Sequence, residues 1–294
     1  MKTVVKKSCS FFIIVCCALS LIWLAPPKEA EASDARGNIY APDGTAGFLL
    51  YARHKTGDRM YKDGKLLAKN LDYELNYQIV RPVYYKNIGN MGATIQALLP
   101  FGDVKVNGAS TSGLMDPTLI LAIWPIADNE NKFWVTFGEW ITMPFGDYDN
   151  TGVSLGGNRW GFRSNLGIVK GWGKFYVDIE PGIEFYTKND EFGADKVDQD
   201  MDPMFRVEGH ISYDFTPQFR LGTGYYYEKG GEKSYRNNAG IKIKSDEKDN
   251  HAFDITAFIQ LAPKHQILVQ YVRDIEVENG FKTNMLGFRY FYVF

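Results

Sequence analysis

Asn284-Met285-Leu286-Gly287-Phe288-Arg289-Tyr290-Phe291-Tyr292-Val293-Phe294 is the stretch on which the fold turns. Leu286, Phe288, Tyr290, Tyr292 and Phe294 recur at spacing two, so an extended chain puts all five on one face. A face this apolar and aromatic belongs either in a soluble core or in lipid, with its aromatics near the water interface.

Working back from the C-terminus, the same alternation returns. Phe175, Val177, Ile179, Ile183 and Phe185 alternate with Tyr176, Asp178, Glu180 and Glu184. Phe205, Val207, Ile211, Tyr213 and Phe215 alternate with Arg206, Glu208, His210 and Asp214. Phe253, Ile255, Ala257, Ile259 and Leu261 alternate with Asp254, Thr256 and Gln260. A soluble barrel would turn the apolar face inward. A membrane barrel inverts the arrangement and turns the charges into the lumen.

The N-terminus chooses between them. Lys2, Lys6 and Lys7 precede an apolar run from Phe11 to Leu24, and Ala30-Glu31-Ala32 fits the small-x-small rule of a signal peptidase site. The run falls short of the roughly 20 residues a spanning helix needs. Residues 1–32 are therefore expected to be a cleaved signal peptide, and residues 33–294 the mature barrel. Cys9, Cys16 and Cys17 all lie in the leader, so the mature chain has no disulfide and needs a large core or a closed barrel. No small residue precedes Cys16, which argues against a lipoprotein. Taking the leader's four lysines and two acids from 33 basic and 35 acidic residues leaves 29 and 33, a charge of −4. No basic face points to nucleic acid.

Beyond Ser33 no apolar stretch is long enough for a helical span, so any crossing of a membrane is by strands. Twelve segments qualify: Gly47–Lys55, Leu71–Tyr85, Met91–Phe101, Asp116–Ile126, Lys132–Met143, Asn158–Val169, Lys174–Thr187, Pro203–Phe215, Gln218–Lys229, His251–Leu261, Gln266–Ile275 and Lys282–Phe294. Their connections alternate in length. Thr56–Asn70, Gly102–Met115, Pro144–Gly157, Lys188–Asp202 and Gly230–Asn250 are long and polar; the connections between them are short, as is the last outer one, Glu276–Phe281. Short periplasmic turns alternating with long outer loops mark an up-and-down antiparallel β-barrel in the outer membrane of a Gram-negative bacterium. Pro82 and Pro181 fall inside strands, where bulges or local bends are expected.

Three motifs carry a resemblance. Gly113-Leu114-Met115-Asp116-Pro117 opens one strand, Pro144-Phe145-Gly146-Asp147-Tyr148 closes the next, and Gly157-Asn158-Arg159-Trp160 begins the one after. Read from the residues alone they are turn chemistry at the barrel rim. In order and spacing they resemble the outer-membrane family named for the meta pathway of phenol degradation, over most of the mature chain. Met115 stands where that family commonly has Gly, and Phe145 where it commonly has Thr or Ser. The resemblance implies a transmembrane barrel that passes small hydrophobic or aromatic solutes. Phe294, with an aromatic two residues before it, resembles the insertion signal of Gram-negative outer-membrane proteins. It implies engagement of the barrel-assembly machinery; lipid and lipopolysaccharide are the expected surroundings.

Alternation places Arg163, Glu180, Glu184, Arg206, Glu208, Asp214, Arg220 and Glu228 in the lumen. Folding the hairpins sets Glu184 opposite Arg206, Arg163 opposite Glu180, Asp214 opposite Arg220 and Arg206 opposite Glu228. Such charges either line a selective pore or form a paired network that stiffens a narrow barrel. The corresponding functions are a solute channel and a closed-lumen structural or adhesion barrel acting through its outer loops. No enzyme is expected. His210-Ile211-Ser212 puts a His and a Ser on one face, but its flanks do not match the twelve-stranded outer-membrane phospholipase. Asp198-Gln199-Asp200-Met201-Asp202 opens like a calcium loop, yet Pro203 replaces the required Gly and Gly209 the closing Glu. His54, His210, His251 and His265 lack ligand spacing. No metal or cofactor is expected.

Overall fold

Alternating side chains let one strand face two environments, and the computed structural model uses this in every long strand. It describes residues 34–237, 239–245 and 247–294. The expected leader and its Ala32-Ser33 junction lie outside the described residues.

The strands are β1 (Ala46–Lys62), β2 (Lys65–Ile88), β3 (Met91–Val106), β4 (Ala109–Leu114), β5 (Thr118–Asp128), β6 (Phe133–Thr142), β7 (Gly161–Trp172), β8 (Phe175–Tyr186), β9 (Asn189–Phe192), β10 (Val197–Met201), β11 (Met204–Thr216), β12 (Phe219–Gly230), β13 (Lys233–Arg236), β14 (Lys242–Lys244), β15 (Lys248–Ala262), β16 (His265–Glu276) and β17 (Gly280–Val293). Twelve of them close an antiparallel barrel in the order β1-β2-β3-β5-β6-β7-β8-β11-β12-β15-β16-β17, and β17 pairs back onto β1. Closure leaves no row of unpaired amides, which lipid would penalise. At the seam Phe48 packs on Tyr292 and Phe294, with centroids 5.7 and 5.9 Å apart, and the Phe294 N–H donates to Ala46 O at 2.9 Å.

The twelve expected strands are the twelve barrel strands, with shifted ends. Two polar connections are themselves paired. β1 and β2 run on to a tight turn at Asp63-Gly64, and β3 continues into the β3–β4 hairpin around Asn107-Gly108. Asp63, Gly64, Asn107 and Gly108 all take positive φ, which hairpin turns require. Alternation is weak in these extensions: residues 56–70 are largely exposed on both faces, and in the last turnward part of β3 only Val104 and Val106 are buried. The 188–202 and 230–250 connections also contain strands, and β9, β10, β13 and β14 form a separate small sheet. β15 starts at Lys248, so Asn250 is in a strand and not in the loop.

Of the bulges or local bends expected at Pro82 and Pro181, no bulge forms. Pro82 pairs with Phe48 and Pro181 with Val207 in unbroken register. On the other side of each proline the ladder skips, from Val80↔Leu99 to Val83↔Gln96 and from Ile168↔Ile179 to Asn165↔Gly182, and resumes unshifted. Losing one donor removes a local rung without inserting a residue.

Leu50, Ile95, Leu121, Phe137, Ile183, Phe205, Ile255, Val269, Leu286 and Phe288 are exposed on the outer face. The interior is divided. From β1, β2, β3, β5 and β17, an apolar wall gathers Leu49, Tyr51, Leu75, Tyr77, Ile79, Leu98, Val104, Val106, Ile120 and Met285. Opposite, β7, β8, β11 and β15 bury Arg163, Asp178, Glu180, Glu184, Arg206, Glu208, His210, Ser212 and Asp254. β1 is apolar on both faces over residues 47–52, and β2 turns Leu75, Tyr77 and Ile79 inward with Glu74, Asn76 and Gln78 outward. Only the later ones follow the apolar-out, charged-in rule.

Candidate functional site

The segment ahead of β1 enters the barrel at the short-turn end. Asp34 and Ala35 are buried, and Asp34 pairs with Arg289. Arg36 spans the lumen. Its backbone N–H donates to Asp178, its Nε donates to Ser212 Oγ at 2.9 Å and its Nη1 meets Asp214 Oδ2 at 2.9 Å. Its guanidinium lies 3.5 Å above the Tyr176 ring. Asn38 Nδ2 donates to Glu180 Oε2 at 2.5 Å, and Trp124 Nε1 donates to Asn38 O at 2.7 Å. Residues 34–40 thus bridge both walls and occlude that end of the lumen. Sequence reasoning missed this segment because it is short and carries no periodicity. The available signal was Asp178, a lumen carboxylate for which the hairpin registers supplied no cation.

Above the plug lies the charge belt. Two expected registers hold: Arg206 is opposite Glu228 and Asp214 is opposite Arg220. Arg206 pairs with Glu228, and Arg220 Nε meets Asp214 Oδ1 at 3.3 Å. The other two are corrected. Glu184 is level with Met204, not Arg206, although Arg206 Nε still reaches Glu184 Oε2 diagonally at 3.4 Å. Arg163 is level with Glu184, not Glu180, and stacks 4.0 Å from the Trp140 ring. The slips are two and four residues, both even, so every side chain stays on its face. The first arises in the 188–202 connection, whose strands and turn cannot be counted as one hairpin, and the second at the β7–β8 turn, which lies at Gly173-Lys174 and sets Trp172 level with Phe175. Glu180 instead takes Asn38 and Asn165 as donors, the latter at 2.7 Å. Glu208 is buried level with Glu180.

The three motifs meet at the long-loop end. Asp116 Oδ1 accepts the Gly146 N–H at 2.9 Å and Oδ2 accepts the Gly157 N–H at 2.6 Å. Asp147 Oδ2 accepts the Leu114 N–H at 2.8 Å, while the Asp147 carbonyl takes the N–H groups of Leu155 and Gly156. A Cβ on Gly146 would lie 2.7 Å from Asp116 N, and one on Gly156 2.8 Å from Gly146 C, so only glycine allows this approach. The motifs are more than rim turns. They knot the 143–160 connection and fold it inward, where Leu155 is buried in the apolar wall and Val153 packs beside it.

Between the apolar wall, the belt and the folded loop lies a cavity of about 270 Å³. Val104, Val106, Val153, Phe281 and Met285 line one side, and Arg159, Gln199, Arg206, Glu208 and Glu228 the other. Arg159, in the loop, is only 6% exposed. Its Nη2 donates to Gln199 Oε1 at 2.5 Å. Burial pulls its pKa down to about 10, so it stays cationic at neutral pH.

Deeper in the lumen Asp254 Oδ2 accepts from Tyr226, Thr256 and Gln270 at 2.9, 2.9 and 2.6 Å, and His210 Nε2 lies 3.1 Å from the Tyr226 hydroxyl. Ser212 is taken by Arg36. Asp198 and Asp200 face Lys188 at 3.2 and 3.9 Å. Among the described residues no group of three or more His, Cys, Asp or Glu side chains is placed to hold a metal.

Residues 56–290 match the family model described as "Putative MetA-pathway of phenol degradation". An outer membrane channel from Pseudomonas putida F1, solved by crystallography, is similar at 28% identity and a TM-score of 0.83, covering 90% of this chain and 100% of that one. The transport unit of the autotransporter AIDA-I from Escherichia coli shares the fold at 7% identity and a TM-score of 0.54, covering 93% of this chain and 96% of that one. No curated protein sequence matches. The barrel is an outer-membrane protein, and its short turns mark the periplasmic side.

Proposed function

The chain belongs to the family described as putative MetA-pathway of phenol degradation, and from that membership we propose that it is an outer-membrane channel for small hydrophobic or aromatic solutes. The observation that carries this reading is the divided lumen. A water-filled porin is polar all round its bore, whereas here an apolar wall from β1 to β5 faces a charged one. A solute with an apolar body and a polar end can wet both. The alternative, a closed barrel acting through its outer loops, leaves the cavity between those walls without a use.

The plug and the charge belt are the barrier to ions, and residues Arg163, Glu180, Glu184, Arg206, Glu208, Asp214, Arg220 and Glu228 set it. Burial against salt-bridge and hydrogen-bond partners makes the belt a brace as well as a lining. We assign no catalysis: Ser212 and His210 are engaged by Arg36 and Tyr226. Assembly machinery reading Phe294, lipopolysaccharide against the outer loops and removal of residues 1–32 complete the picture.

The test must respect that apolar solutes cross phospholipid unaided. Uptake of a radiolabelled aromatic is therefore measured in cells whose lipopolysaccharide leaflet is intact, with and without this chain. Faster uptake than in the empty-vector strain is expected. Equal rates would refute the proposal.

A further inference from the structure

We propose that Arg159 and Gln199 form a subsite for a carboxylate, so that the favoured solutes are apolar organic acids; this rests on the channel reading above. The site is built from two chain segments. Arg159 comes from the inward-folded loop and Gln199 from β10. Both line the cavity, and they are 6% and 2% exposed. Arginine can only donate, so Gln199 has to turn its oxygen toward it, as the 2.5 Å Nη2–Oε1 contact shows. That choice leaves the Gln199 amide nitrogen outside the pair. Arg159 Nη1 and Gln199 Nε2 are then two buried donors without an acceptor among the described residues. A missing acceptor costs most where water is excluded.

No carboxylate of the described residues lies within 4 Å of the Arg159 guanidinium. Nearby acids are committed elsewhere: Asp116 to the N–H groups of Gly146 and Gly157, Asp200 to Lys188. The pair therefore supplies one positive charge and two N–H donors without an acceptor. A planar carboxylate, with one charge and two oxygens, matches that count, and guanidinium favours such paired geometry. Phosphate would bring more charge than one arginine answers. The remaining wall fixes the rest of the ligand. Val104, Val106, Val153, Phe281 and Met285 line the same cavity. At about 270 Å³ the cavity takes an aryl or short alkyl body.

The test uses the full-length mature protein in lipid nanodiscs, titrated calorimetrically with 3-phenylpropionate and with its neutral analogue 3-phenylpropanol. The acid is expected to bind more tightly than the alcohol. In Arg159→Gln the acid should bind about tenfold or more weakly, the scale of one charge-assisted hydrogen bond, while the alcohol is unchanged. Gln199→Glu places a carboxylate of the chain itself beside Arg159 and should abolish acid binding; it keeps the inference testable if Arg159→Gln does not fold. Equal binding of acid and alcohol by the native protein, unchanged acid binding in Gln199→Glu, or inorganic phosphate competing as well as the acid would each overturn it. Acid binding without faster uptake by cells would refute the channel and leave the subsite standing. Uptake of neutral aromatics without acid binding would do the reverse.

Discussion

Asp116 holds the backbone N–H of Gly157 at 2.6 Å across 41 positions of chain, and with its other oxygen it holds Gly146. One carboxylate at the start of a barrel strand thus fixes both ends of the loop that folds into the lumen. Asp116→Ala should release the loop. Hydrogen bonds to a charged acceptor contribute roughly 1.5–3 kcal/mol each and do not fully add, so the expected loss is about 2–4 kcal/mol. Urea unfolding followed by tryptophan fluorescence reads the loss. Single-channel recording should show a larger and noisier conductance. A stable variant with native conductance would mean that Leu155 and Val153 seat the loop without Asp116.

The plug makes a second expectation. Arg36 is bound to Ser212 and Asp214 by its side chain and to Asp178 by its backbone. Arg36→Ala keeps the backbone contact but takes away the cation and its stacking on Tyr176. Ion conductance in planar bilayers should rise, and should rise further when residues 34–40 are deleted. An unchanged conductance in the deletion would show that ions do not pass where this segment sits.

The barrel was legible in the sequence because lipid enforces a strict period of two, and twelve such segments separated by alternating short and long connections have few other solutions. Three things were not legible. The Asn107-Gly108 hairpin extension alternates only at Val104 and Val106, too short a run to mark a strand. The apolar lumen wall hid in plain view: around Leu49 and Tyr51 both faces of the strand are apolar, while Leu75, Tyr77 and Ile79 turn inward with Glu74, Asn76 and Gln78 outward, against the apolar-out rule. The plug consists of Asp34, Arg36 and Asn38, whose significance comes only from partners more than 80 residues away, such as Asp178 and Trp124. Within the site, face assignment survived a register error for Arg163 and Glu184 because the slip was even. Arg159 lies in the third motif, yet its burial follows from the inward fold of its loop, which no local pattern encodes.

Arg206 tests whether the charge belt is packed or wet. Its side chain is only 7% exposed and it pairs with Glu184 and Glu228. Arg206→Ala leaves two carboxylates with reduced compensation, and breaking a buried pair typically costs about 3–5 kcal/mol. Arg206→Lys keeps the charge but not the fork, and should fall between the two. A loss of only about 0–1 kcal/mol for Arg206→Ala, the value for solvated pairs, would mean that water fills the belt and screens it.

Phe294 separates stability from recognition. Phe294 is 66% exposed, its ring touches Phe48 and Tyr292, and its N–H makes one hydrogen bond to Ala46 at the seam of the barrel. Deleting it removes one such bond, worth roughly 0.5–1.5 kcal/mol, and an aromatic side chain that lipid would otherwise solvate. Refolding from urea into detergent, read by heat-modifiable mobility on gels, should therefore be close to native. If the terminal aromatic is what the assembly machinery reads, the yield in the outer membrane of living cells should nonetheless fall severalfold. Deleting Ala194, in the turn between β9 and β10, controls for shortening the chain and should change neither measure. A fall of equal size in detergent and in cells would place the contribution of Phe294 in the stability of the β1–β17 seam, and the recognition reading would fail.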